Sequence, residues 1–576
     1  MQRTLLILLT CLYSTALFAQ LNVNVEISGV DRPLEDNIRL HLSIEQQKDH
    51  LLMTEGRLRR LHKKALQDIP SALHPFGYYR PKIDPQLSKI APDQWLASYT
   101  IDPGPPLPIK KLDFVLHGEI INDPEFLSLT TTLPLKEGAT FDHRHYERSK
   151  SALANLAIER GYFDAIFSEH RVEINLDTYD ASIHLHYNGG RRYRFGEILL
   201  QQDVLDPQLL QSYIPFRRGE PYTLDELLTL KQALNDSDYF QSVEISPDQP
   251  QANSIEIPIT ISLSPRKKNR YSFGAGYGTD TGSRIKLSWE APRLNRYGHR
   301  VSAEAKISEI GYSVSTQYRV PIFNPRTDQM VYSLGVVNEK TNSSNSTLRT
   351  IGASLNRSHE RWRESASLNY QQEEYVIAND RDTSNLLIPS INWNRTWGQN
   401  FIYTLDGLRF DIGLRGASTK LISDTNFFQL QGGIKAINSL GRRNRIIARG
   451  RLGSTWMDEF QELPSSVRFF AGGAQSVRGY AYRSLGPINN TGQLIGGKHL
   501  MVGSIEFEHS LSGKWGLALF YDGGNAIDNF TDKLERGAGI GLRWQSPVGS
   551  VRIDIASAVS RDDQPWRLHI NIGPDL

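Results

Sequence analysis

Cysteine is nearly absent from this 576-residue chain, with one instance, Cys11, lying in an apolar run close to the first residue. A chain of this length without disulfides is no small stapled scaffold, so its stability must come from extensive burial or closed hydrogen-bond ladders. Long hydrophobic runs are equally scarce. After residue 20 nothing approaches the roughly 20 apolar residues a spanning helix needs, which argues against a helical membrane protein. Charge of one sign is missing too: 65 Lys plus Arg against 63 Asp plus Glu leave a formal +2, and no basic groove for nucleic acid is visible. There is no G-x-S-x-G elbow, no H-E-x-x-H, no Cys cluster and no ligand spacing among the histidines, so neither catalysis nor a cofactor nor a metal is expected. His143 and His145 fall at a helix start on different faces and read as solvated. GQLIGGK at Gly492–Lys498 is followed by His499, where a phosphate loop needs Ser or Thr for magnesium, and reads as loop glycine.

What is present begins with Arg3, the apolar run Leu5 to Phe18, and Ala19 before Gln20. This predicts a secretory signal peptide over residues 1–19, discarded together with Cys11. The chain is polar overall, with a mean hydropathy of -0.41, yet 10% of it is aromatic and 45 residues are glycine. That mixture permits a membrane β-barrel.

From Leu21 to Pro265 the sequence repeats: an amphipathic helical stretch, a turn with an aromatic pair, then strands. The marks are GYYRPKI at Gly77, GYFDAIF at Gly161 and SDYFQSVEI at Ser237. Apolar residues three and four apart precede the second and third marks, as a helix face requires, and period-two alternation follows them. The reading is three small α+β domains, over 20–106, 107–190 and 191–265. At Pro265 the texture changes. From 266 to 576 segments of about ten residues alternate apolar and polar, among them 270–279, 348–357, 362–371, 386–395, 514–522 and 536–545, giving about sixteen strands, an even number as bacterial barrels require. In the last strands Trp515, Leu517, Leu519 and Tyr521 should face lipid, while Ala518, Phe520 and Asp522 face inward.

One connection, 454–498, is far longer than the rest, and loops of that size are usually functional. It carries RFFAGGAQSVRGYAYRSLGP, in which Gly472 and Gly473 suit sharp turns of a loop doubling back into a pore. With FYDGGNA at Phe520–Ala526 and GIGLRWQSPVGSVRIDIA at Gly539–Ala556, the whole mature chain resembles the BamA/TamA outer-membrane assembly factor superfamily. The resemblance implies that the three repeats are periplasmic POTRA domains and that Val477, Arg478, Gly479 and Tyr480 form the tip of a loop folded into the barrel. It further implies that Arg478 is the anchor and Asp522 its partner on the wall. Glu506 joins them by alternation, since it points inward on the neighbouring strand beside Ser504, and a guanidinium can hold a carboxylate through two parallel hydrogen bonds. Gly537, Gly539 and Gly541 should leave room for the loop.

A closed barrel has one seam. Ser272, Gly274, Gly276 and Gly278 on the inner face of the first strand weaken its packing, and the last strand is short, so the seam should open and template client strands. Three POTRA units and the GPDL ending look most like the TamA branch. That likeness implies a TamB-like partner, periplasmic and anchored in the inner membrane, docking on the POTRA domains. It also implies clients among autotransporters and other unfolded outer-membrane proteins, with lipid of the Gram-negative outer membrane around the barrel. A two-partner secretion exporter, a phospholipid-transport component and a plain diffusion pore stand as rivals.

Overall fold

The computed structural model describes residues 21–573 apart from 51–52, 249–253, 342, 379, 399–402 and 548; the expected signal peptide lies outside the described residues, as does most of the GPDL ending. The first domain runs β1 (Asn22–Ser28), α1 (Arg32–His41), α2 (Ser43–Gln47), α3 (Glu55–Leu73), β2 (Lys82–Ala91) and β3 (Gln94–Asp102). Its sheet order is β1-β3-β2, with β1 parallel and β2 antiparallel to the central strand. Asp31 caps α1 by accepting from the Leu34 amide, and Thr54 caps α3 by accepting from that of Arg57. Leu58, Leu61, Ala65, Ile69 and Ala72 follow helical spacing along α3 and pack on Trp95, Ala97, Tyr99 and Ile101, the alternate residues of β3.

The pattern recurs in β4 (Ile109–His117), α4 (Pro124–Thr132), α5 (His143–Glu159), β5 (Ile166–Asn175) and β6 (Asp180–Asn188), with order β4-β6-β5. The third domain has β7 (Arg194–Gln201), α6 (Pro207–Gln211), α7 (Leu224–Asp236), β8 (Phe240–Pro247) and β9 (Glu256–Pro265), ordered β7-β9-β8.

Each long helix leads to a left-handed residue, α3 by way of a 3-10 turn over His74–Phe76: Gly77 at φ 87°, Gly161 at φ 80° and Asp238 at φ 62°. The third turn is thus centred one residue beyond Ser237, because Asp is among the few non-glycine residues that tolerate this conformation. The turn also joins neighbouring domains. The Leu107 amide donates to the Gly77 carbonyl at 2.9 Å and the Phe141 amide to the Leu107 carbonyl at 2.7 Å; the same pair recurs as Tyr193 to Gly161 at 2.8 Å and Tyr222 to Tyr193 at 3.0 Å. A Cβ on Gly77 would lie 2.0 Å from the Phe141 carbonyl oxygen. His143 belongs to the first joint and is not simply solvated: its Nε2 lies 3.0 Å from the Tyr79 hydroxyl and its ring meets Phe141 edge-on at 4.6 Å. The helix start that was expected to hold it in water is covered by the preceding domain's turn.

Sixteen antiparallel strands follow, each hydrogen-bonded to the next in chain order. They are β10 (Arg270–Gly278), β11 (Gly282–Ala291), β12 (Arg300–Ser308), β13 (Gly311–Pro321), β14 (Asp328–Lys340), β15 (Ser344–His359), β16 (Trp362–Ile377) and β17 (Asp380–Gly398). Then come β18 (Gly407–Ala417), β19 (Phe427–Leu440), β20 (Asn444–Trp456), β21 (His499–Ser512), β22 (Trp515–Ile527), β23 (Glu535–Ser546), β24 (Gly549–Ser557) and β25 (Trp566–Gly573). Leu517, Leu519 and Tyr521 are exposed on the outer face, while Ala518, Phe520 and Asp522 are buried within. β16 and β17 run to 16 and 19 residues, longer than the stretches expected over 362–371 and 386–395. Only about ten residues of a strand cross lipid, so the extensions carry no apolar alternation to betray them.

Between β10 and β25 no ladder register is formed among the described residues. Among those residues a hydrogen bond crosses from the Ile570 amide to Thr279 Oγ1 at 3.1 Å. At the barrel end where the third domain enters, the Tyr239 hydroxyl donates to the Gly298 carbonyl at 2.7 Å and the Arg300 guanidinium lies 4.5 Å over the Tyr239 ring.

Candidate functional site

The connection between β20 and β21, residues 457–498, turns back into the barrel. Gly472 and Gly473 take φ 97° and 106°, a backbone that only glycine adopts at low cost, and between them and Tyr480 the chain makes its tip. Val477 is fully buried and packs with Phe469, Tyr480, Val502 and Ala558.

Strand register assembles the wall that receives the tip. Ser504, Asp522 and Gly537 lie in one cross-strand row, Glu506, Phe520 and Gly539 in the next, and Glu508, Ala518, Gly541, Asp554 and His569 in a third. All point inward because side chains alternate faces along a strand. Arg478 enters over the first two rows. Its Nε donates to Asp522 Oδ2 at 2.7 Å and its Nη2 to Asp522 Oδ1 at 2.8 Å, a two-pronged pair, while its backbone amide also donates to Oδ2 at 3.0 Å. Nη1 donates to Glu506 Oε2 at 2.7 Å and to Asp554 Oδ2 at 3.2 Å. The guanidinium centre sits 3.4 Å from the Phe520 ring centroid. Arg478 is 2% exposed and Asp522 0%, so the pair is dry and every donor must find an acceptor in the protein.

Three members of this network escaped the sequence reading as partners. Arg543 donates to Glu506 at 2.6 Å, to Glu508 at 2.9 Å and to Asp554 at 2.6 Å, so the Arg478 and Arg543 guanidiniums alternate with four carboxylates, of which Glu508 also accepts from Arg445 at 2.5 Å. Arg543 and Asp554 occupy inward positions of their own strands, but which inward charges meet depends on register and barrel curvature. The third is His569 on the last strand, whose Nε2 accepts from the Gly479 amide at 3.0 Å.

Of the glycines expected to make room, Gly537 lies directly under the loop, where an added Cβ would fall 1.9 Å from the Arg478 carbonyl oxygen. Gly539 instead lies against Phe520 and the Ile555 carbonyl, and Gly541 makes room for the Asp554 and Arg543 side chains. Gly479, at φ 95°, approaches the Ser557 and Ala558 backbone so closely that a Cβ would meet it at 2.9 Å. The Tyr480 hydroxyl donates to Glu535 at 2.7 Å.

The tip also reaches the other side of the seam. The Ala474 amide donates to Asp280 Oδ2 at 2.8 Å, and Asp280 lies in the turn between β10 and β11. His569 Nδ1 stands 3.9 Å from Asp280 Oδ1. One loop therefore touches both edges of a cylinder whose edges barely bond to each other. Gly274, Gly276 and Gly278 alternate inward along β10 against exposed Tyr271, Phe273 and Tyr277. Among the described residues no group of His, Cys, Asp and Glu could hold a metal ion.

Comparison with known proteins adds the following. The Omp85 superfamily domain model matches residues 268–575, a model for TamA POTRA domain 1 matches 24–103, and the POTRA model, described as a surface antigen variable number repeat, matches 109–188 and 193–266. An outer membrane protein assembly factor BamA from Nitratidesulfovibrio vulgaris (strain Hildenborough) is 30% identical over 137 residues; the alignment spans 22% of this chain and 17% of that relative. The crystal structure of BamA from Haemophilus ducreyi lacking POTRA domains 1–3 superposes with a TM-score of 0.68 at 17% identity, covering 81% of this chain and 98% of that one, which is a likeness of fold.

Proposed function

The chain belongs to the Omp85 superfamily, with a barrel in the outer membrane and POTRA domains in the periplasm, and from that premise we propose that it inserts or translocates other proteins at that membrane by parting its own seam. The observation that carries the reading is the loop tip, held by Arg478 in the carboxylate wall while touching both seam edges. In the resting barrel no ladder joins β10 to β25 among the described residues, and an unpaired edge templates a further strand. The loop holds those edges in place until a client strand offers better partners. No nucleotide is required, because the client's own folding releases the free energy.

Arg478, with Val477, Gly479 and Tyr480, acts as the lock; Asp522 and Glu506 are its keepers, and Gly274, Gly276 and Gly278 keep the first strand loosely packed. Three POTRA domains and the match of the first to a TamA-type domain support a place in the TamA branch, while the similarity to a BamA relative keeps the BamA branch as the second reading. A TamB-like periplasmic partner anchored in the inner membrane would then dock on the POTRA domains, whose β1 and β2, β4 and β5, and β7 and β8 are sheet edges. Autotransporters and other barrel proteins are the expected clients.

The test is a photo-reactive residue at Gly274 in the full chain during client synthesis. A crosslink to the last strand of an outer-membrane protein is expected. Crosslinks to lipid alone, with client assembly intact, would defeat the seam mechanism.

A further inference from the structure

The outer wall of the barrel is apolar, with Tyr332, Leu334, Ile351, Leu368, Ile391 and Ile412 exposed on it. Near the periplasmic turns at 322–327 and 360–361 the same outward parity carries charges. Register places Asp328 beside Arg357, Arg357 beside Glu364, Glu364 beside Trp393 and Trp393 beside Ile412. One step toward the periplasm, Trp362, Arg395 and Phe410 form the next outward row. Asp328, Arg357, Trp362, Glu364, Trp393 and Phe410 line a groove of about 810 Å³ over β14–β18, and Arg395 adjoins it as the cross-strand neighbour of Trp362 and Phe410.

Two of these charges form no ion pair among the described residues. The Arg395 guanidinium lies 4.8 Å from the Trp362 ring and 4.2 Å from that of Trp397, and its buried Nε has no hydrogen-bond partner. Glu364 makes no hydrogen bond or ion pair among the described residues, whereas Arg357 has Asp328 at 3.7 Å. Facing lipid, a lone Arg is costly at the midplane and nearly free near the interface, which puts this row at headgroup depth. An ordinary interfacial girdle needs the tryptophans and can use the arginine. It has no use for an unpaired carboxylate one row deeper, beside an aromatic face.

A cation and an anion on adjacent rows, with Trp393 and Trp362 between them, match a headgroup that carries both signs. We propose that this groove binds a glycerophospholipid with a phosphoethanolamine head. Its phosphate accepts from Arg395, its primary ammonium donates to Glu364 over the Trp393 face, and its acyl chains lie along Ile412 and Ile391. Same-face neighbours along a strand are spaced about 7 Å apart, close to the reach of such a head with its hydrogen bonds. The site lies on strands remote in the sheet order from β10 and β25 and does not rest on the seam mechanism.

Native mass spectrometry of the delipidated full chain in detergent, offered equimolar phosphatidylethanolamine, phosphatidylglycerol and phosphatidylcholine, tests it. The unaltered protein should retain phosphatidylethanolamine several-fold over the other two, since phosphatidylglycerol lacks the ammonium and the quaternary head of phosphatidylcholine donates no hydrogen bond. Arg395→Gln should reduce all adducts several-fold, and Glu364→Gln should abolish the preference over phosphatidylglycerol while heat-modifiable migration reports an intact barrel. Equal retention of the three lipids by the unaltered protein, or a preference for phosphatidylglycerol, would overturn the assignment without recourse to any variant. Folded variants that keep the original preference would overturn it as well.

Discussion

Removing the Arg478 side chain leaves Asp522 with Arg449 at 3.8 Å as its nearest cation and takes a donor from Glu506 and Asp554. Breaking a buried charge network from one side costs about 3–5 kcal/mol, because the carboxylates stay dry and lose compensation. Arg478→Ala should therefore unseat the loop, read as new trypsin cleavage within 457–498 and a lowered urea midpoint in detergent. Arg478→Lys should not rescue it, since one ammonium cannot reproduce the two-pronged pair with Asp522 while also reaching Glu506. Gly537→Val should produce the same cleavage with every charge intact, by steric collision with the Arg478 carbonyl. If these variants keep the loop protected, the lock is not what holds it. Alternation along their own strands made Asp522 and Glu506 legible as inward positions, while the resemblance to a known family put Arg478 at the loop tip with Asp522 as its partner. Arg543, Asp554 and His569 join through register across three further strands, which no local pattern encodes.

At the level of the element, the turn after each long helix both ends a helix and seats the next domain. At the first joint His143 and His74 are pulled below the ordinary value of 6.5, in both cases by burial, so the folded joint prefers neutral rings. The unfolded chain then binds more protons over the interval from 6.5 down to the depressed folded value. Stability of the joint is accordingly full above 6.5 and falls as pH drops through that interval. Backbone hydrogen exchange in the full chain, corrected for intrinsic rates, should rise in 77–80 and 141–146 between pH 7.5 and 5.5. His143→Gln should flatten that rise; an unchanged pH response would assign it elsewhere. Gly77 and Gly161 announced these turns by composition. The third was misplaced by a residue, because Asp238 enters the left-handed region without being glycine.

For the whole molecule, the seam and the loop act as one closure. Cysteines at Thr279 and Ile570, introduced into a chain whose own cysteine is Cys11 alone, should bond on oxidation, given the 3.1 Å hydrogen bond between those residues. Oxidation should then stop client assembly and reduction restore it, with barrel migration on gels unchanged throughout. Undiminished assembly in the oxidised form would show that clients do not pass through this edge.

The sequence alone determined the three α+β repeats, the sixteen-strand barrel, which residues face lipid, and a long loop with an arginine at its tip. The first three follow from periods of 3.6 and 2 and from turn chemistry, all local in the chain, and the arginine tip from the resemblance to a known family. The tertiary structure decided which inward charges meet Arg478, that Ala474 and Gly479 touch opposite edges of the seam, and that Arg395 and Glu364 fall on adjacent outward rows. Each of these is set by register and closure between strands far apart in sequence, where a shift of one residue turns every side chain to the other face.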